Sequence, residues 1–189
     1  MFSKVLIKLI DQAIVPALVI FASKIISTIV VAKYFGVSFT LGSAGFIYSN
    51  TKDYLLVNSY STFCMVAILA LGLFYILLKS LVFHSSHITP SLTAKLFSLR
   101  LSAFIQDSFD LYSQGTVWIS YSYLMLLITL VMFLFGSLYA WVFISALVVT
   151  VTATVLFVLD IENELGAAVK KGSVDEEELV LRFEGGSNE

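Results

Sequence analysis

The chain has 189 residues, 59% of them hydrophobic and only 13% charged, with a mean hydropathy of +0.95 and a formal net charge of −2. A water-soluble domain carries about 25% charged residues, so this composition excludes an ordinary soluble globule and points to lipid as the solvent. The near-neutral balance by itself argues neither for nor against a charged partner, and no nucleic-acid partner is expected.

The N-terminal residues place Lys4 and Lys8 ahead of the apolar stretch Ala13–Ala22, an arrangement that resembles a secretory signal. Asp11 interrupts the junction and no A-x-A-like site follows, so retention of the segment is expected. Apolar sequence continues to residue 35, and a first membrane span is read over 13–35. A transmembrane helix needs roughly 20 apolar residues, and in lipid every backbone polar group needs an internal partner, so the spans are read as helices.

Lys24 interrupts this span near its middle. It lies eleven residues after Ala13 and nine before Lys33, roughly 14–16 Å from either end at the helical rise, which is further than a lysine stem comfortably snorkels. Leaving the charge unanswered at mid-depth costs about 2.5–3.5 kcal/mol on insertion scales. Ala13, Ala17, Lys24 and Thr28 share one helical face, whose small residues allow close approach of another helix. The side chain is therefore expected to point at protein. No carboxylate lies inside any of the four spans read here, so the expected partners at matching depth are hydroxyls: Thr129 in the third span and Thr150 and Thr154 on one face of the fourth. Three readings stay open. Lys24 is held internally by hydroxyls, carbonyls or water; its counter-charge belongs to another subunit; or it binds an anionic ligand or headgroup.

The following loop, "GVSFTLGSAGFIYSNTKD" (36–53), is rich in Gly and Ser and fits either a short hairpin or an irregular cap, with Asp53 a candidate cap for the next helix. A second span is read over 57–78. Cys64, the lone cysteine, has no internal disulfide partner and reads as a packing residue.

Between the second and third spans, Thr89–Pro90 has the form of a helix start. Phe97, Leu101, Phe104, Ile105, Leu111 and Tyr112 form an apolar stripe opposite Lys95, Ser98, Ser102 and Gln106. The pattern predicts a cytoplasmic-side interfacial amphipathic helix over 90–112, lying in the headgroup layer or packed beneath the spans.

From Leu111 to Leu159 there are 49 consecutive residues without Asp, Glu, Lys or Arg. They divide into a third span, 117–135, and a fourth, 138–159, with Gly136 and Ser137 forcing a tight antiparallel turn. Tyr112, Trp118, Tyr121 and Tyr123 mark the start of the third span, and Tyr139 and Trp141 the start of the fourth, as interfacial aromatics do. The polar remainder, 160–189, contains the carboxylate run Asp175–Glu178 and reads as an acidic cytoplasmic tail after a membrane domain covering 1–159.

Four spans put both termini on one side. Eight Lys and Arg fall there (Lys4, Lys8, Lys79, Lys95, Arg100, Lys170, Lys171, Arg182) against Lys33 and Lys52 opposite. The positive-inside rule then places both termini in the cytoplasm and the chain in the inner membrane.

Catalytic signatures are sparse. His84 and His87 sit at i, i+3, a spacing compatible with metal binding, but they are weak candidates because two ligands do not make a site and the nearest third donors, Asp107 and Asp110, lie on another segment. The sequence contains no G-x-S-x-G, H-E-x-x-H, phosphate-cradling glycine loop or C-x-x-C. No cofactor or metal is expected, and the chain is read as a non-enzyme.

"ASKIISTIVVAKYFG" (Ala22–Gly36) resembles the first helix of polysaccharide and lipid flippases, which pair a basic residue with an aromatic-glycine ending. Those transporters have many more spans than four, so no function is carried over. The rest of the chain looks like the small four-span proteins of bacterial genomes.

The sequence thus predicts an all-α integral membrane protein with four transmembrane helices and one interfacial amphipathic helix. Its expected partners are the bilayer and either a second copy of itself or the subunits of a larger membrane complex. The alternative is a small transporter or channel-like subunit that uses Lys24, with Thr28, Thr150 and Thr154, to bind an anionic ligand. A membrane-embedded enzyme is the third reading.

Overall fold

The computed structural model describes residues 10–43, 45–83 and 108–185, together with Ile7 and Ser98. The fold is mostly helical. A π-helical turn, Ile10–Ile14, leads into α1 (Val15–Tyr34); a β-hairpin follows, β1 (Phe39–Gly42) and β2 (Gly45–Tyr48); then come α2 (Thr51–Phe83), α3 (Ser108–Leu134) and α4 (Ala140–Gly185). Four stretches are long and apolar enough to cross a membrane: Ile10–Tyr34, Thr51–Ser80, Leu111–Leu134 and Ala140–Asn163. The chain divides into two compact units, Met1–Thr154 and Val155–Glu189. In the second, the backbone of α4 stays helical through Gly185.

Pro16 accounts for the wide first turn. It has no N–H to offer the carbonyl of Gln12, and its ring crowds that carbonyl, so the turn opens to the π form before α1 settles. The carbonyl of Ala13 accepts a hydrogen bond from Tyr121 Oη of α3 at 2.8 Å.

Two helices end in the same way. Beyond α1, Val37 N donates to Ala32 O at 2.9 Å and Gly36 N to Lys33 O at 3.3 Å; beyond α3, Ser137 N donates to Met132 O at 2.8 Å and Gly136 N to Phe133 O at 2.9 Å. This is the Schellman pattern, whose penultimate residue must turn left-handed. Gly36 and Gly136 both do, at φ +67°.

The loop after α1 is a hairpin, which departs from the all-α expectation and settles its two open forms. β1 and β2 pair antiparallel with Phe39 opposite Tyr48 and Gly42 opposite Gly45. Rings of Phe39, Phe46, Tyr48 and Tyr54 form a chain of contacts from the hairpin to the start of α2, with Tyr48 and Tyr54 centroids 5.9 Å apart. α2 starts earlier than the sequence suggested. Asn50 O accepts from Tyr54 N, so Asn50 occupies the cap position, and Asp53 lies inside the first turn, where a carboxylate favours the helix dipole.

The core of the first unit gathers Ile20 of α1, Val66, Leu69 and Leu73 of α2, Met125 of α3, and Ala146 and Ala153 of α4. α2 is its hub, packing against both α1 and α3. Trp118 lays its ring directly over Gly72 of α2, at a spot that any side chain on residue 72 would fill. Phe133 and Phe143 stack with planes 5° apart to join α3 and α4, and Trp141 packs against Tyr60 and Phe63 of α2.

The interfacial helix expected over 90–112 falls almost wholly outside the described residues. Its final residues, 108–112, belong to α3, where Leu111 is buried.

Candidate functional site

Along α1 the residues Ile20, Ser23, Lys24, Ser27, Thr28 and Ala32 recur at helical spacing and turn inward, whereas Leu18, Phe21, Ile25, Ile29 and Val30 face out. The inward stripe meets a polar stretch of α2, "NSYST" (58–62), of which Asn58, Ser59, Ser61 and Thr62 are buried. Lys24 Nζ donates to Asn58 O at 3.0 Å, Asn58 Oδ1 at 2.9 Å, Ser61 Oγ at 2.8 Å and Thr62 Oγ1 at 2.6 Å.

The geometry of these acceptors is prearranged. Ser61 Oγ and Thr62 Oγ1 each donate their proton to Asn58 O, at 3.1 and 2.7 Å, which leaves their lone pairs for the ammonium. An ammonium has three donors, and four acceptors surround it. All four are uncharged. On the α1 side, Thr28 Oγ1 donates to Lys24 O at 2.7 Å, and Ser27 Oγ donates to Ser23 O at 2.5 Å and to Ser61 O across the helix pair at 3.2 Å.

Asn58 extends the cluster further. Its Nδ2 donates to Ser137 O at 2.7 Å, and the neighbouring Ser59 Oγ accepts from Tyr139 N at 2.9 Å. α2 thereby satisfies backbone groups of the α3–α4 turn that no helix pairs. These bonds also place that turn and the β-hairpin at the same end of the first unit.

The partners expected for Lys24 are elsewhere. Thr129 Oγ1 donates to Leu126 O within α3. Thr150 Oγ1 donates to Ala146 O at 2.8 Å and to Ser122 O of α3 at 3.3 Å, and Thr154 Oγ1 to Thr150 O at 2.8 Å and Tyr123 Oη at 3.2 Å. Thr150 and Thr154 therefore join α4 to α3, while Lys24 joins α1 to α2 and Thr28 bonds back within α1. The reason is register. Lys24 is ten residues before the end of α1 and Ser61 ten residues after the start of α2, so an antiparallel pair brings them level. The run "NSYST" carried that information in the sequence, but a second span read from residue 57 leaves those residues at its edge.

Ala17 faces a neighbouring helix across a gap. With Phe21, Tyr121 and Met125 it borders an apolar cleft of about 180 Å³. Another cleft of about 420 Å³ runs along α1 and α2 between Ala22, Ile26, Cys64 and Ile68, with Ser23 and Ser27 in its wall. Cys64 is a free, half-buried thiol. His84, His87 and Asp107 lie outside the described residues, and among the described residues no three His, Cys, Asp or Glu side chains gather.

The arrangement holds a cation with neutral oxygens and fixes two helices against each other. No family model, curated protein or solved structure matches the chain.

Proposed function

We propose that this is a multi-pass integral protein of the cytoplasmic membrane, with both termini in the cytoplasm, that acts without catalysis by associating with itself or with a larger membrane complex. The observation that carries this reading is the saturation of Lys24. Four acceptors within 3.0 Å meet its three donors inside the chain, so the lysine serves as an anchor for α1 and needs no ligand to hold it. Lys33 and Lys52 flank the hairpin end, and with Lys24 set aside as mid-span the remaining eight Lys and Arg fall on the side read for the termini, which supports a cytoplasmic location for them.

The test is purification in mild detergent after cross-linking in the native membrane. A species heavier than the 20.9 kDa chain, or a co-purifying subunit lost when outward residues such as Phe21 or Ile29 are replaced, is the expected result. A reporter fused after Glu189 is expected to work only on the cytoplasmic side.

The second reading, a transporter-like subunit for an anion, is favoured by one feature: every acceptor around Lys24 is neutral, so its charge is solvated but not cancelled. Anion-dependent flux through vesicles containing the purified chain, abolished by Lys24→Met but retained by the comparably destabilised Asn58→Leu, would establish that reading and displace the first.

A further inference from the structure

Two apolar residues of the β-hairpin lie where they contribute least to its own fold. Leu41 is 76% and Ile47 53% exposed, on opposite faces of the hairpin, Leu41 on the rung next to the Gly42–Gly45 end and Ile47 one rung further back. No charged residue occurs between Lys33 and Lys52, so nothing in the segment resists an apolar surrounding. Both tethers are short. Four residues separate α1 from β1 and two separate β2 from α2, and the Tyr48–Tyr54 contact holds the base of the hairpin to the first turn of α2. The base of the hairpin thus stays at the ends of two helices long and apolar enough to span, and its tip lies within four strand residues of them. An aromatic group stands at that same end: Tyr34, Phe35, Tyr60 and Trp141 touch in sequence, with centroids 5.1–5.5 Å apart. Such rings mark the headgroup level of a bilayer.

Depth is bounded from the other direction by the backbone. Among the described residues the two strands pair only with each other, which leaves their outward N–H and C=O groups without a strand partner, an arrangement that hydrocarbon does not tolerate but hydrated headgroups do. Apolar tip, short tethers and open edges agree on one layer. We propose that the hairpin is a membrane-interface wedge: Leu41 and Ile47 insert into the headgroup–acyl boundary of the leaflet at that end, and the partner of this surface is lipid. This rests on the membrane reading above.

The test uses the full chain in phosphatidylcholine vesicles, with Cys64→Ser removing the native thiol and an environment-sensitive fluorophore attached to Leu41→Cys, to Ile47→Cys, or to Ile26→Cys on the outward face of α1. Nitroxide lipids labelled near the headgroup or near the chain end report depth. At positions 41 and 47 quenching by the shallow label is expected to exceed that by the deep label roughly twofold, as for a group 5–10 Å into the interface; at position 26 the order reverses. Deep quenching at 26 with none at 41 and 47 overturns the wedge and leaves the membrane reading standing, assigning the tip to water or to a protein partner. Stronger deep than shallow quenching at 41 also overturns it. Absence of quenching at all three positions removes the membrane reading itself.

Discussion

Lys24 and Asn58 meet twice. The ammonium donates to the backbone carbonyl and to the side-chain oxygen of the same residue, at 3.0 and 2.9 Å, from a position 34 residues earlier in the chain. The carboxamide's other end is committed to Ser137 O, so its orientation is fixed, and one side chain ties α1, α2 and the α3–α4 turn together.

Removing either partner leaves buried polar groups unmet. Lys24→Met and Asn58→Leu are each expected to destabilise the fold by about 1–3 kcal/mol, read as lowered thermal midpoints in detergent. The double variant is expected to fall short of the sum by about 0.5–3 kcal/mol, as contacting residues do. Asn58→Asp keeps an oxygen for the ammonium but loses the donor to Ser137, so its defect should persist in a Lys24→Met background. Full additivity of Lys24→Met and Asn58→Leu would show that the two side chains do not interact.

Gly72 is a question of space. Alanine in a helix interior is favoured over glycine by about 1 kcal/mol, but a methyl at residue 72 overlaps the Trp118 ring, and overpacking costs about 1–3 kcal/mol. The overlap dominates, since Trp118 is held by the core cluster. Gly72→Ala is expected to lower stability, and Trp118→Leu to relieve that loss, in a thermal-melt comparison of single and double variants. A stabilising Gly72→Ala would contradict the packing.

Gly36 and Gly136 are a question of backbone. A Cβ at either position would meet nothing within 4 Å, yet both residues sit at φ +67°. Alanine there is expected to cost about 1–2 kcal/mol through the left-handed conformation alone, and asparagine less than alanine. Equal melting of the alanine and asparagine variants would remove the explanation.

Tyr48 offers a pH signature. Burial, and secondarily the nearby Tyr54, raise its hydroxyl above the ordinary tyrosine value of 10.0. The folded state therefore holds this proton longer than the unfolded state. Its stabilising contribution is fully present below that ordinary value and is lost as the pH rises through the higher folded one. In phenolate absorbance titrations, the difference between the native chain and Tyr48→Phe should show one tyrosine ionising later than the exposed average.

Much of the architecture was legible in the residues. Four long apolar runs, the Gly136 turn and the inward aim of Lys24 follow from length, a residue permissive of positive φ, and the cost of an unanswered charge. The lysine's partners were harder to read, because hydroxyls occur in every span and only the register of α1 against α2 selects Ser61 and Thr62 over Thr150 and Thr154. The packing role of Trp118 was hidden for a related reason: an aromatic near a span's start signals an interface by composition, and only the glycine opposite reveals what its ring covers. The hairpin's Gly and Ser content suits two kinds of loop, which strand pairing alone separates.

The acceptors that answer Lys24 lie 34–38 residues downstream of it. During synthesis, then, the first helix emerges with a charge whose partners have not yet been made, and it cannot settle alone without the penalty of a naked ammonium. On the membrane reading proposed above, the natural unit of integration is the pair, α1 and α2 entering together once Thr62 has left the ribosome, with the later helices docking onto a two-helix platform whose ammonium is already solvated by protein oxygens.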